Sequence, residues 1–131
     1  MGSAQDGDRA TARLTLKPAP TSVGRAREFV REHLRLWECD DPEGIVALLT
    51  SEVVANAVTY AATPVALALR QRDDALRVEA EDGCPTLPEI RIPAWDDPRG
   101  RGLLLVEALA RCWGAEPRGA GKVVWFEYGP C

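Results

Sequence analysis

Between Pro42 and Pro64 runs a stretch that can be helical for most of its length, and its apolar face is broken by one carboxylate and one amide. Asp40 or Asp41, followed by Pro42 at a first-turn position, predicts the helix start. The end is expected near Ala61, because backbone just before Pro64 is biased away from the helical region. Projected at about 100° per residue, Ile45, Leu48 and Leu49 share a stripe, and Glu52 and Asn56 fall between them rather than on a solvent side.

The spacing of four sets Glu52 and Asn56 one turn apart on one face, so both oxygens can address the same space beneath a sheet. Mg²⁺ takes hard oxygen ligands and keeps several waters, which makes Asn56 a candidate ligand. Glu52 is then a candidate base toward an attacking hydroxyl or water. The same pair would also suit the wet margin of a broad-faced helix, and periodicity leaves both readings open.

The flanking segments predict a sheet and two more helices. Residues 12–16 alternate as a short edge strand that ends at Pro18 and Pro20. Thr21 or Ser22 can cap a helix with Val23, Ala26, Phe29, Val30, Leu34 and Trp37 at helical spacing and Arg25, Arg27, Arg31 and Arg35 on its outer side. Residues 65–70 and 76–80 read as a hairpin turning at Asp73-Asp74, the second strand alternating Leu76, Val78 and Ala80 against Arg77, Glu79 and Glu81. A proline-rich loop then leads to a helix over 103–111, and Gly119 to Gly121 separate two last strands, 113–118 and 122–128.

Totals narrow the class. A chain of 131 residues, 46% hydrophobic and 27% charged, suits one globular domain over 11–131 after a flexible leader at 1–10. A net charge of −4 argues against a duplex-binding protein, which needs a basic face. No apolar run approaches the ~18 residues that span a bilayer. Cys39, Cys84, Cys112 and Cys131 are far apart without a CxxC pair, and with His33 alone they make no zinc spacing, so free thiols in a reducing cytoplasm are expected. His33 and the four tryptophans, Trp37, Trp95, Trp113 and Trp125, are read as structural.

Two further signals are weak alone. Asp82-Gly83 closes a strand, where a carboxylate can accept a hydrogen bond from an exocyclic amine such as N6 of adenine, although Asp-Gly is also a common turn. Gly100-Arg101-Gly102 opens a helix, where glycines let backbone N–H groups approach phosphate, although a lone GxG can merely shape a loop.

Their order is more specific: E-x-x-x-N on a helix, a hairpin, D-G after its second strand, then GRGL into a helix. With SEVVANAV, EDGCP, GRGLLLVEALA and GKVVWFEY, the chain from about Thr15 to Tyr128 resembles the gyrase, chaperone, histidine-kinase and mismatch-repair ATPase superfamily, and within it the anti-sigma-factor serine kinases. The resemblance implies an α+β fold: a two-layer α/β sandwich whose mixed, largely antiparallel sheet is covered by helices on one face. It implies ATP and Mg²⁺ as cofactors and a serine/threonine kinase that phosphorylates an anti-sigma antagonist and binds a sigma factor. By it Glu52 polarises the nucleophile, Asn56 coordinates Mg²⁺, Asp82 with Gly83 binds the adenine amine, and Gly100, Arg101 and Gly102 belong to the lid over the phosphates. Arg99 or Arg101 additionally meets the terminal phosphate.

The chain departs from the pattern at Cys84, where a glycine is usual, at Val123, where relatives often carry threonine, and at Tyr60, where histidine is common. Those departures motivate a second expectation, a regulator that acts by protein contact without catalysis. The resemblance leaves room for a homodimer and gives no role to nucleic acid or a membrane.

Overall fold

The computed structural model describes residues 8–87 and 101–129, with side chains of the last helix described from Leu103 onward. The expected order of elements appears: β1 (Asp8–Leu16), α1 (Thr21–Leu36), α2 (Ile45–Tyr60), β2 (Val65–Arg72), β3 (Ala75–Asp82), α3 (Arg101–Leu109), β4 (Cys112–Arg118) and β5 (Gly121–Tyr128). Gly100, Arg99, Trp95 and Cys131 lie outside the described residues. The fold is α+β. Among the described residues five strands form one sheet in the order β1-β2-β3-β5-β4, antiparallel at every pairing.

Strand alternation sends one set of side chains to the helices. Leu14, Leu67, Ala80, Val124 and Ala115 fall in one row across the sheet, and Ala12, Leu69, Val78, Phe126 and Trp113 in the next. Leu67, Leu69, Val78 and Phe126 are essentially solvent-free, and Val30, Leu49, Val53, Leu103 and Val106 of the helices close the same cluster over them. At about 25 cal/mol per Å² of apolar area, this cluster is the main stabilising contribution to the fold.

Several local expectations move. β1 begins at Asp8, inside the stretch expected to be a flexible leader, and the Asp8 carboxylate accepts from Arg70 and Arg72 of β2. α2 begins at Ile45 rather than near Asp41, because Gly44 adopts a left-handed backbone with φ 69° that interrupts the helical path. Asp41 still caps it: its carboxylate accepts the Val46 N–H at 3.1 Å and the Ala47 N–H at 3.3 Å. Leu48, expected on the apolar stripe, is 39% exposed, and the stripe runs through Val46, Leu49, Val53 and Ala57. Arg27 is not part of a solvated face, since it donates to Ser51 Oγ at 3.1 Å and ties α1 to α2.

Cys39 is buried and disulfide-bonded, which corrects the free-thiol expectation there and removes the thiol argument for a reducing compartment. Cys84 and Cys112 are free. Burial, then the nearby Glu127 carboxylate, pushes the Cys112 thiol up. No helix among the described residues is long and apolar enough to cross a membrane. His33 Nδ1 donates to the Phe29 carbonyl at 2.9 Å, and its ring sits between Phe29 and Trp37, so its role among the described contacts is structural.

The opposite sheet face carries charge in a lattice of pairs. Glu79, 5% exposed, accepts from Arg77 at 2.8 Å and lies 3.5 Å from both Arg70 and Arg118. Arg77 also stacks on Trp125, 4.0 Å from the ring centroid. Burial alone would push the Glu79 carboxyl up, but the hydrogen bond from Arg77 and the charges of Arg70, Arg77 and Arg118 hold it below the usual carboxylate range.

Such a carboxyl contributes stability that is present above its unfolded pKa and lost as pH falls through its lowered native value. Glu79→Gln is therefore expected to cost about 1.5–3 kcal/mol at pH 7. The difference from the unaltered protein should shrink in acid. Urea unfolding at pH 7 and pH 3 checks both the size and the sign.

Candidate functional site

The hydrogen bond from Arg27 to Ser51 marks the flank of α2 that faces α1. At about 100° per residue, Glu52 and Asn56 project roughly 100° and 140° away from Ser51. They thus lie on the flank turned from α1, both half-buried, between the solvent-free Leu49 and Val53 and the exposed Leu48 and Thr59. α2 packs against α1, α3, β2, β3 and β5, so this flank is a margin of the most central helix.

Neither side chain makes a hydrogen bond or ion pair among the described residues. Burial raises the Glu52 carboxyl above its ordinary value, and no cation among the described residues offsets the desolvation. A half-buried carboxylate and an amide one turn apart, both with open valences, match the donor set that a hydrated Mg²⁺ and a hydroxyl nucleophile require. Among the described residues no group of three or more His, Cys, Asp or Glu side chains is gathered for a metal. A cation here would rely on Asn56, water and phosphate oxygens.

The base end of the expected site is different. Asp82 ends β3 on the face that the helices cover, 5% exposed, and register places Lys122 of β5 directly opposite it. Lys122 is 1% exposed. Its Nζ donates to both Asp82 carboxylate oxygens, at 3.0 and 2.9 Å, and reaches the Cys84 carbonyl at 3.4 Å. The Cys84 N–H donates to Asp82 Oδ1 at 2.8 Å. The carboxylate that was expected to take an exocyclic amine therefore already holds an ammonium, and it cannot take that amine without displacing the lysine.

The position that meets Asp82 is thus Lys122 and not Val123, which pairs with Glu81 and points to the other sheet face. Sequence reasoning passed over Lys122. The available signal was a single cation inside the otherwise apolar start of GKVVWF.

Two more contacts fix where Asp82 sits. Thr63, in the connection after α2, accepts the Gly83 N–H through its hydroxyl at 2.8 Å and thereby ties the end of β3 to the end of the helix that carries Glu52 and Asn56. On β5, a Cβ placed on Gly121 would lie 1.9 Å from the Asp82 carbonyl oxygen and 2.7 Å from Gly83 Cα. Only glycine allows the two strands to approach this closely.

Gly121→Ala must push backbone from backbone, so a loss of roughly 1–3 kcal/mol is expected. Gly24→Ala in α1 meets nothing nearer than 3.8 Å and should instead gain about 0.5–1 kcal/mol. Urea denaturation of the two variants in parallel tests the contrast, and equal losses would remove the close approach as the cause.

The glycine box is placed only in part. Arg101 and Gly102 open α3, as expected for a segment that turns from loop to helix, while Gly100 lies outside the described residues. Leu103 and Val106 anchor the helix in the core next to α2.

A family model described as the histidine kinase-like ATPase domain matches residues 16–128, nearly the whole chain. No curated protein matches the chain.

Proposed function

From the chain's membership of the histidine kinase-like ATPase family, a family of ATP-binding domains, we propose that it is a regulatory serine/threonine kinase whose working residues are Glu52 and Asn56. The observation that carries this is the state of that pair. Both are half-buried on one flank of α2, without partners among the described residues, and burial raises the Glu52 carboxyl above its ordinary value.

In this proposal Asn56 offers its carbonyl oxygen as one hard ligand, and the first turn of α3, opened by Arg101 and Gly102, presents backbone N–H groups to anionic oxygens. Glu52 accepts the proton of a seryl or threonyl hydroxyl presented by a partner, a task helped by a pKa nearer to neutral. Bound Mg-ATP would supply the transferable phosphoryl group and the cation that offsets its charge. The partner follows from the resemblance: an anti-sigma antagonist as phosphoacceptor and a sigma factor held by contact. The exposed Arg25, Arg31 and Arg35 of α1 suit an acidic surface on such a partner.

One observation favours a second reading, a regulator that works by contact alone. The Asp82–Lys122 pair leaves the base end of the site closed to an amine donor. The two readings part in one experiment: calorimetry with Mg-ATP, followed by labelled phosphate transfer from ATP onto a seryl-containing antagonist. Binding with transfer is expected for the kinase. Binding without transfer supports the contact regulator, and no binding of any triphosphate removes the nucleotide site altogether.

A further inference from the structure

We propose that Lys122 is a built-in occupant of the base-recognition carboxylate, so that this domain holds a magnesium-bound nucleoside triphosphate by its phosphates and does not select adenine by its amine. The inference rests on the nucleotide-site proposal above and deepens it by naming the ligand class: triphosphates irrespective of the substituent at purine position 6.

The geometry of the pair carries it. An ammonium has three protons, and those of Lys122 are directed at Asp82 Oδ1, Asp82 Oδ2 and the Cys84 carbonyl. Oδ1 takes the Cys84 N–H as well. Asp82 is thus supplied from inside the protein with a cationic donor at the place where an amine N–H would arrive. Charge-assisted hydrogen bonds are roughly twice as strong as those from a neutral donor. Displacing the lysine would also strand an ammonium that is 1% exposed, at the junction of β3 and β5 beneath the helices. A buried cation without its partner costs far more than one neutral N–H returns.

Lys122 itself has no proton left to offer a base carbonyl, so the pair reads neither an amine nor a carbonyl at position 6. It also makes the strand end self-sufficient: Thr63, Gly83, Cys84, Asp82 and Lys122 bond one another with no ligand contribution. Nothing of this kind surrounds Glu52 and Asn56, which keep open valences among the described residues.

The test is isothermal titration of the full chain with Mg-ATP and with Mg-ITP, which differ at purine position 6, where ITP has a carbonyl in place of the amine. Dissociation constants within about threefold of each other are expected. ATP binding tighter than ITP by about tenfold or more, the worth of one hydrogen bond to a charged acceptor, would overturn the inference while leaving the nucleotide site standing. If neither triphosphate binds, the site proposal fails and the inference falls with it.

Lys122→Thr supplies a second measurement where the variant folds, as judged by circular dichroism. Freed of its ammonium, Asp82 should now prefer ATP over ITP by about tenfold. An unchanged ratio in a folded variant counts against Lys122 as the determinant. The wild-type ratio decides the matter alone if the variant does not fold.

Discussion

Glu52→Ala is expected to lower phosphate transfer from ATP by about 10²–10⁴-fold, the usual worth of a positioned general base. The variant should keep its fold. Desolvation raises the Glu52 carboxyl and no cation among the described residues offsets it, so the folded state holds the Glu52 proton more tightly than the unfolded chain does. For a carboxyl shifted in that direction, stability falls as pH rises from the unfolded pKa through the raised native value, and a penalty remains at neutral pH.

Removing the charge should therefore leave stability unchanged or improved. Glu52→Gln is the sharper form: the shape persists, the base is gone, and the melting temperature at pH 7 should equal or exceed that of the unaltered protein while transfer is lost. Activity exchanged against stability in this way marks a residue retained for chemistry. Transfer that survives in both variants would remove Glu52 from the mechanism. A lower melting temperature with intact transfer would make it a structural residue of α2.

Lys122→Met should be the most damaging single change to stability. The methionine fills much of the same space, but the Asp82 carboxylate, 5% exposed, keeps among the described residues only the Cys84 N–H as a donor. Breaking a buried pair from one side costs about 3–5 kcal/mol, because the remaining charge must be held away from water. For a domain of this size that corresponds to a fall in melting temperature on the order of 10–15 °C.

Replacing both partners, as in Asp82→Leu with Lys122→Met, should recover most of the loss, since a buried pair and an apolar pair of similar volume differ little in stability. A single Lys122→Met variant melting within about 2 °C of the unaltered protein would mean that the pair is not sealed from solvent as described.

Much of the molecule was legible one segment at a time. The alternation of Leu76, Val78 and Ala80 announced β3, the turn at Asp73-Asp74 is where the β2–β3 hairpin reverses with Asp73 at φ 43°, and Gly119 at φ 59° reverses β4 into β5. The relation of Glu52 to Asn56 was equally legible, because a spacing of four in a helix fixes their common face whatever surrounds it. The start of α2 was misplaced because Asp41 and Pro42 form a turn closed by the Gly44 N–H on the Asp41 carbonyl at 2.9 Å, and that turn looks in sequence like a first helical turn.

What escaped is long-range. Asp82 and Lys122 are 40 residues apart, Thr63 and Gly83 are 20 apart, and Cys39 is bonded where thiol spacing gave no hint. Backbone preference reaches a few residues, so it set the helices, the strands and the shared flank of Glu52 and Asn56. Which donor faces the Asp82 carboxylate depends on the register between β3 and β5, and burial of one sheet face under the helices selects that register over a slip of one residue. That slip would have put Val123 opposite the aspartate and left its charge unanswered in the core.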